Sequence, residues 1–156
     1  MSPETFMRRA IALSQQGMEG GRGGPFGAVV VQGGRIVGEG ENRVTSTNDP
    51  TAHAEVVAIR AACAKEGRFD LKGYHLYTSC EPCPMCLAAI YWARLDRVYY
   101  ANGREDAARI GFDDALIYEE VARPPAARRL EMIRLALPEA RAVFDAWLSK
   151  ADRVPY

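Results

Sequence analysis

Residues 74–94 read YHLYTSCEPCPMCLAAIYWAR. The aromatic, apolar and threonine residues of YHLYTS predict a strand. Pro84 then predicts a helix start, because proline suits the first helical position, and the helix runs to about Arg94. DRVYYA, residues 96–101, predicts a second strand. Strand, helix and strand in this order make a βαβ unit, the building block of a layered α/β fold. Cys80, Cys83 and Cys86 sit at the strand-to-helix junction at intervals of three, so either adjacent pair forms a CxxC.

Working outward toward the N-terminus, FGAVVVQ (26–32) and RIVGEGENRV (35–44) flank Gly33-Gly34. A two-residue glycine turn supplies the positive φ values a tight β-hairpin needs. Ser2-Pro3-Glu4 carries a capping hydroxyl, an early proline and an acid, and Phe6, Met7, Ala10, Ile11 and Leu13 follow at helical spacing to an end at Gly17. The glycines of GMEGGRGGP (17–25) form a loop that lacks the GK[ST] of a phosphate cradle. TSTNDPT (45–51) is a polar loop whose Asp49-Pro50-Thr51 precedes the helix AHAEVVAIRAACAKEG (52–67), with Val56, Ile59, Ala62 and Cys63 on one face. Beyond Asn102 the pattern predicts a short helix near Glu105–Arg109, a loop GFDDALIY (111–118), a strand over Leu130–Leu135 and a last helix from Pro138 to Lys150. The expected architecture is a three-layer α-β-α sandwich around a mixed, mostly parallel five-stranded sheet, parallel apart from the first hairpin, in one domain spanning residues 1–156.

Twenty Lys and Arg balance twenty Asp and Glu. The chain therefore has no overall basic footprint for nucleic acid. Neither MSPETFMRRA at the N-terminus nor any later apolar run suits a leader or a bilayer span, so a soluble, cytoplasmic protein is expected. In a reducing compartment, four clustered cysteines point to metal or thiol chemistry rather than disulfides.

The chemistry concentrates at two predicted helix starts, His53-Ala54-Glu55 and Pro82-Cys83-Pro84-Met85-Cys86. One His and two Cys are zinc ligands, and three protein donors leave one tetrahedral position open, the mark of a catalytic site. His53 and Glu55, two residues apart, point to different sides of a helix unless the metal lies near the axis at its N-terminal end, where first-turn side chains fan outward. Zinc with two thiolates and a neutral imidazole carries no net charge, so water there is acidified weakly and a base is required; Glu55 fills that role. Two other readings stand beside this one. Thioredoxin-like redox chemistry needs only a CxxC, and a structural zinc site would close with Cys80 as fourth donor.

HxE followed by PCxxC resembles the signature of the zinc deaminases, and TAHAE (51–55) with TSCEPCPMC (78–86) is similar to the cytidine-deaminase-like superfamily. GGPFGAVVV, NDPTAHAE, AIYWAR and GFDDALIY resemble, more narrowly, bacterial guanine deaminases, over nearly the whole chain. The resemblance implies hydrolysis of guanine to xanthine and ammonia with one zinc per subunit; the alternative is deamination of cytosine, isocytosine, a triazine or adenosine in transfer RNA. It implies His53, Cys83 and Cys86 as zinc ligands, Glu55 as proton shuttle, and Asp114 as a second shuttle with Asp113 as competitor. It implies Asn42 and Ala54 at the base, Phe26, Trp92 and Phe112 as its walls, and a domain-swapped homodimer in which Tyr156 closes the partner's site. Gly111 or Pro124-Pro125 would carry the crossing segment.

Overall fold

The computed structural model describes residues 1–156. The chain divides into two units, Met1–Ala115 and Leu116–Tyr156. The first unit begins with α1, Pro3–Glu19. Ser2 caps it as the sequence leads one to expect, accepting the Thr5 amide on its hydroxyl. The helix runs past Gly17 to Gly20, because Gly17 is buried where a side chain would overlap the Glu41 carboxylate, and so marks a packing contact rather than a stop.

Strands β1 (Gly27–Gln32) and β2 (Arg35–Glu41) form the expected hairpin. Gly33 and Gly34 both have positive φ, 55° and 76°, as a two-residue turn with the twist of its strands demands. β2 stops at Glu41, short of the expected Val44, which instead opens one short helix, α2 (Val44–Thr47), running into the predicted polar loop and ended by Asn48 in the left-handed conformation. α3 follows at Ala54–Glu66, and Gly67 at φ 63° closes it. Strand β3 is His75–Cys80, α4 is Pro84–Trp92, β4 is Arg97–Asn102 and α5 is Arg104–Arg109.

The sheet has four strands in the order β2-β1-β3-β4, not five. β1–β2 and β1–β3 are antiparallel, and only β3–β4 is parallel. The mostly parallel expectation fails for a topological reason. β2, β3 and β4 do run the same way, joined by helical crossovers, but β1 lies between β2 and β3 and turns both of its ladders antiparallel. Leu130–Leu135, expected as the fifth strand, pairs with nothing and is irregular. Its apolar residues Leu130, Ile133 and Leu135 stay exposed, with no neighbouring strand to pair with.

Both faces of the sheet are covered, which explains the continuous apolar run of β1. Val29, Val31 and Tyr77 pack with Phe6 and Leu13 of α1 on one face. Ala28, Val30 and Leu76 pack with Ala54, Ala58, Ala62 and Ile90 of α3 and α4 on the other. α3 buries Ala54, Ala58 and Ala62 fully, with Ile59 and Cys63 of the expected face packed partly buried beside them, because Gly38 and Gly40 of β2 let the helix approach closely: a Cβ on Gly38 would stand 2.7 Å from the Ala62 amide nitrogen. That approach brings the start of α3 down onto the end of β2.

In the second unit, ALIY of the expected loop is helical instead, opening α6 (Ala115–Ala122). A 3-10 turn at Pro125–Ala127 and α7 (Pro138–Ser149) follow. Glu120 accepts from Arg123 at 3.0 Å and from the Arg129 amide at 2.8 Å, which ties the turn to α6. No residue from Leu116 to Tyr156 is buried, and Leu130, Ile133, Val143, Phe144, Trp147 and Leu148 are all exposed.

Candidate metal centre and active site

β2, β3 and β4 all end at one edge of the sheet, where open α/β sheets place their ligands. Three segments leave that edge: Asn42 to Ala54 after β2, Cys80 to Pro84 after β3, and Asn102 to Asp114 after β4. Arg43 N to Ala52 O at 3.0 Å closes the first segment on itself, and Glu81 N to Asn102 O at 2.8 Å joins the second to the third.

His53 is the N-cap of α3 and Cys83 the N-cap of α4, so the expected convergence of two helix starts is realised. His53 Nδ1 lies 3.5 Å from Cys83 Sγ and 3.5 Å from Cys86 Sγ. Zinc bonded tetrahedrally to one nitrogen and one sulfur separates them by about 3.6 Å, so the donor set fits zinc without rearrangement. The three donor atoms all lie within 4.8 Å of one another, and no fourth His, Cys, Asp or Glu joins them. Hydrogen bonding from Cys86 and from His53 draws the Cys83 thiol down to about 4, against the opposing pull of burial. Cys86 moves the other way, through its bond to the Cys83 thiolate and its burial, and His53 is raised by its bond to Cys83.

Cys80 stands apart. It ends β3, its Sγ is directed at Gly103 O at 3.9 Å, and burial pushes its thiol up to about 11. The run of three cysteines therefore resolves into one convergent pair and one buried neutral neighbour.

Glu55, in the first turn of α3, is 6% exposed. Burial raises its pKa. Thr78 Oγ1, from β3, lies 3.2 Å from Glu55 Oε1 and 3.1 Å from Cys80 O. Ala54 opens the helix, so its amide has no intrahelical acceptor and faces outward with the positive end of the helix dipole. Thr78 has no signature in the sequence beyond a β-branched residue in a strand, and only the fold reveals that it touches Glu55.

The two acids of GFDD separate by geometry. Asp113 Oδ1 accepts the Ala115 amide at 2.9 Å and so caps α6. Asp114 pairs with Arg104 Nε at 3.7 Å; burial raises its pKa and the guanidinium opposes that rise. Arg104 is a second contact the sequence conceals. Its own amide is held by Glu81 Oε1 at 3.3 Å, which anchors the start of α5 to the cysteine loop.

Phe26 and Phe112 meet edge to face, 4.9 Å between centroids, and form one aromatic wall. Asn42, also 6% exposed, bonds backbone to backbone with Phe26 O at 3.1 Å. Trp92 lies elsewhere: it ends α4, about 9 Å along the axis from Cys86, and its ring is exposed and carries the Arg94 guanidinium 5.9 Å from its centroid. Tyr156 belongs to the second unit, where it lines a groove of about 490 Å3 with Phe144, Trp147 and Leu148.

With this geometry in place, comparison with known proteins is direct. The chain is similar to the guanine deaminase of Bacillus subtilis, 51% identical over 156 residues and covering all of both chains. The X-ray structure of that protein superposes with a TM-score of 0.97 over 100% of this chain and 99% of the other. A guanine deaminase structure from Nitrosomonas europaea matches with a TM-score of 0.70 at 33% identity, covering 73% of this chain and 66% of the other. A tRNA-specific adenosine deaminase from Agrobacterium fabrum is 50% identical, but over 49% of this chain and 50% of its own. Residues 1–102, which hold the His53, Cys83 and Cys86 cluster and Glu55, match the family described as the cytidine and deoxycytidylate deaminase zinc-binding region, and the chain belongs to that family of zinc-dependent deaminases.

Proposed function

We propose that the protein hydrolyses guanine to xanthine and ammonia. One observation carries the choice of base: the similarity to a guanine deaminase runs the whole length of the chain, through the Phe112–Asp114 segment that lies outside the family's zinc-binding region. The similarity to the adenosine deaminase of Agrobacterium fabrum covers about half. His53 Nδ1, Cys83 Sγ and Cys86 Sγ hold the zinc. When bound, the metal supplies the Lewis acidity that makes water a nucleophile near neutral pH.

The protein's own groups do the rest. Water adds to the carbon bearing the 2-amino group, and the bond from that carbon to the amine breaks. With Glu55 Oε1 held by Thr78, Oε2 is the oxygen that takes the proton from water and passes it on toward the base. Asp114, steadied by Arg104, returns a proton to the departing amine. The Phe26–Phe112 wall stacks on the purine and excludes water, and Asn42 and the Ala54 amide hydrogen-bond its edge. Incubation of the zinc-loaded protein with guanine, guanosine, adenine, cytosine, cytidine and transfer RNA is expected to release ammonia from guanine, with xanthine as product. Release from any other member and not from guanine overturns this reading.

The same reading takes residues 1–156 as one deaminase domain that works as a homodimer, with the segment from about residue 115 exchanged between subunits and Tyr156 completing the partner's site. What supports it is the C-terminal segment itself: it buries none of its own residues, and Phe144 and Tyr156 are each 77% exposed. A segment of that length cannot build a core alone. Mixing Glu55→Gln chains with Tyr156→Ala chains, each nearly inactive, is expected to restore roughly a quarter of the wild-type sites, because a mixed dimer holds one site with both groups. Absence of recovery on mixing sinks the exchange.

A further inference from the structure

Asn42 is more constrained than a residue that merely ends a strand. Its Oδ1 accepts two backbone amides, Val44 N at 3.1 Å and Gly24 N at 3.3 Å. The first bond is the Asx turn that opens α2; the second comes from the glycine loop, eighteen residues upstream. A planar amide whose oxygen is spent on two fixed donors turns its nitrogen to the opposite side. A flip would lose both bonds and set the NH2 group against two N–H donors.

The donors are themselves held. Arg22 forks onto the buried Glu41 carboxylate, with Nη2 at 3.1 Å from Oε2 and Nε bonded to Oε1, and Nη2 also reaches Gln16 O at 3.2 Å. The Arg22 carbonyl in turn accepts from Ser46 N at 3.3 Å and Thr45 Oγ1 at 3.4 Å, so one residue clamps the loop to β2 and to α2. Gly23 packs so tightly on Asn42 that any Cβ there would overlap both its carbonyl and its Oδ1. A Cβ on Gly24 would stand 3.2 Å from both Phe26 and Phe112, so the loop that fixes the amide also seats the aromatic wall.

We infer that the Arg22–Glu41 clamp and the Gly23–Gly24 backbone form a specificity-determining lock, which holds Asn42 with only Nδ2–H donors turned to the base. The site then selects a base that offers an acceptor at this wall, a ring carbonyl or an unprotonated ring nitrogen, and rejects one that offers an amine or C–H there. Arg22 and Glu41 are positioning residues, acting through Asn42. The inference rests on the reading that Asn42 meets the base.

The test is a panel of guanine analogues, each lacking one acceptor: 2,6-diaminopurine at the carbonyl, 7-deazaguanine and 3-deazaguanine at a ring nitrogen. The wild-type protein is expected to discriminate by about 10²-fold against the one whose missing acceptor Nδ2 meets. Arg22→Ala is expected to shrink that ratio about tenfold through KM for guanine, leaving kcat, bound zinc and the other two ratios within about twofold. Arg22→Lys, which keeps the charge but not the fork, falls between. Asn42→Asp keeps both backbone bonds while turning an acceptor to the base, and is expected to abolish the preference. Two results overturn the lock. If Asn42→Asp abolishes the preference and neither Arg22 variant moves it, the clamp does not set the amide and the guanine reading stands. If Asn42→Ala leaves KM for guanine unchanged, Asn42 does not meet the base and that contact falls as well.

Discussion

Replacing Glu55 by glutamine is expected to leave a folded, zinc-loaded protein whose turnover of guanine falls by about 10²–10⁴-fold, some 3–5 kcal/mol of lost transition-state stabilisation. Glutamine has the shape of the carboxyl group and an oxygen that still meets Thr78 Oγ1, so the geometry at the start of α3 survives. What disappears is an oxygen able to accept a proton. Stability moves the other way. Burial raises the folded-state pKa of Glu55, so its contribution is retained below the ordinary carboxylate range and is lost as pH rises through the raised value. The neutral amide removes that loss, and with zinc removed from both proteins the Tm of the variant at pH 7 is expected to equal or exceed that of the parent. Single-turnover kinetics, zinc analysis and a melting curve check the three parts separately. A variant that turns over guanine at the parental rate removes Glu55 from the mechanism.

Substitution of a metal ligand is expected to act on binding and chemistry together. Cys86→Ala should lower bound zinc from one equivalent per chain to a small fraction, with activity down by about 10³-fold or more, since nothing else in the site acidifies water. Cys86 is fully buried between the two helix starts, so its removal also leaves a void and lowers Tm. Cys80→Ser is the contrasting variant. Its Sγ belongs to the Gly103 side of the junction and not to the cluster of donors, so zinc should remain at one equivalent. Metal analysis of both variants distinguishes an open catalytic site from a closed structural one: loss of zinc from Cys80→Ser would make Cys80 the fourth ligand.

Much of this site is legible in the sequence. The hairpin turn, the Ser2 cap, the proline start of α4 and the last helix follow from interactions within a few residues, and each occurs where the sequence places it. The cysteine spacing and the HAE triplet name the donors because metal chemistry restricts the residue types. Gly17 reads as a helix end, ALIY as loop and Leu130–Leu135 as a strand; a contact distant in sequence decides Gly17, Leu130–Leu135 finds no strand to pair with, and ALIY is helical behind the Asp113 cap. Gly17 is defined by Glu41, twenty-four residues away in the chain.

Local chemistry thus marks the parts by sequence alone: most elements of the first hundred residues, and the His53, Cys83 and Cys86 cluster with Glu55 beside it. Only the tertiary structure decided how the parts meet. Insertion of β1 between β2 and β3 makes the sheet mixed, although three strands run the same way. The contacts of Thr78 with Glu55, Arg104 with Asp114, and Gly24 with Asn42 join separate elements, and no periodicity or motif announces them. The physical reason is that helix periodicity and turn preference record short-range sterics, whereas the orientation of a buried carboxylate or amide is set by whichever distant donors the packed fold brings within about 3 Å.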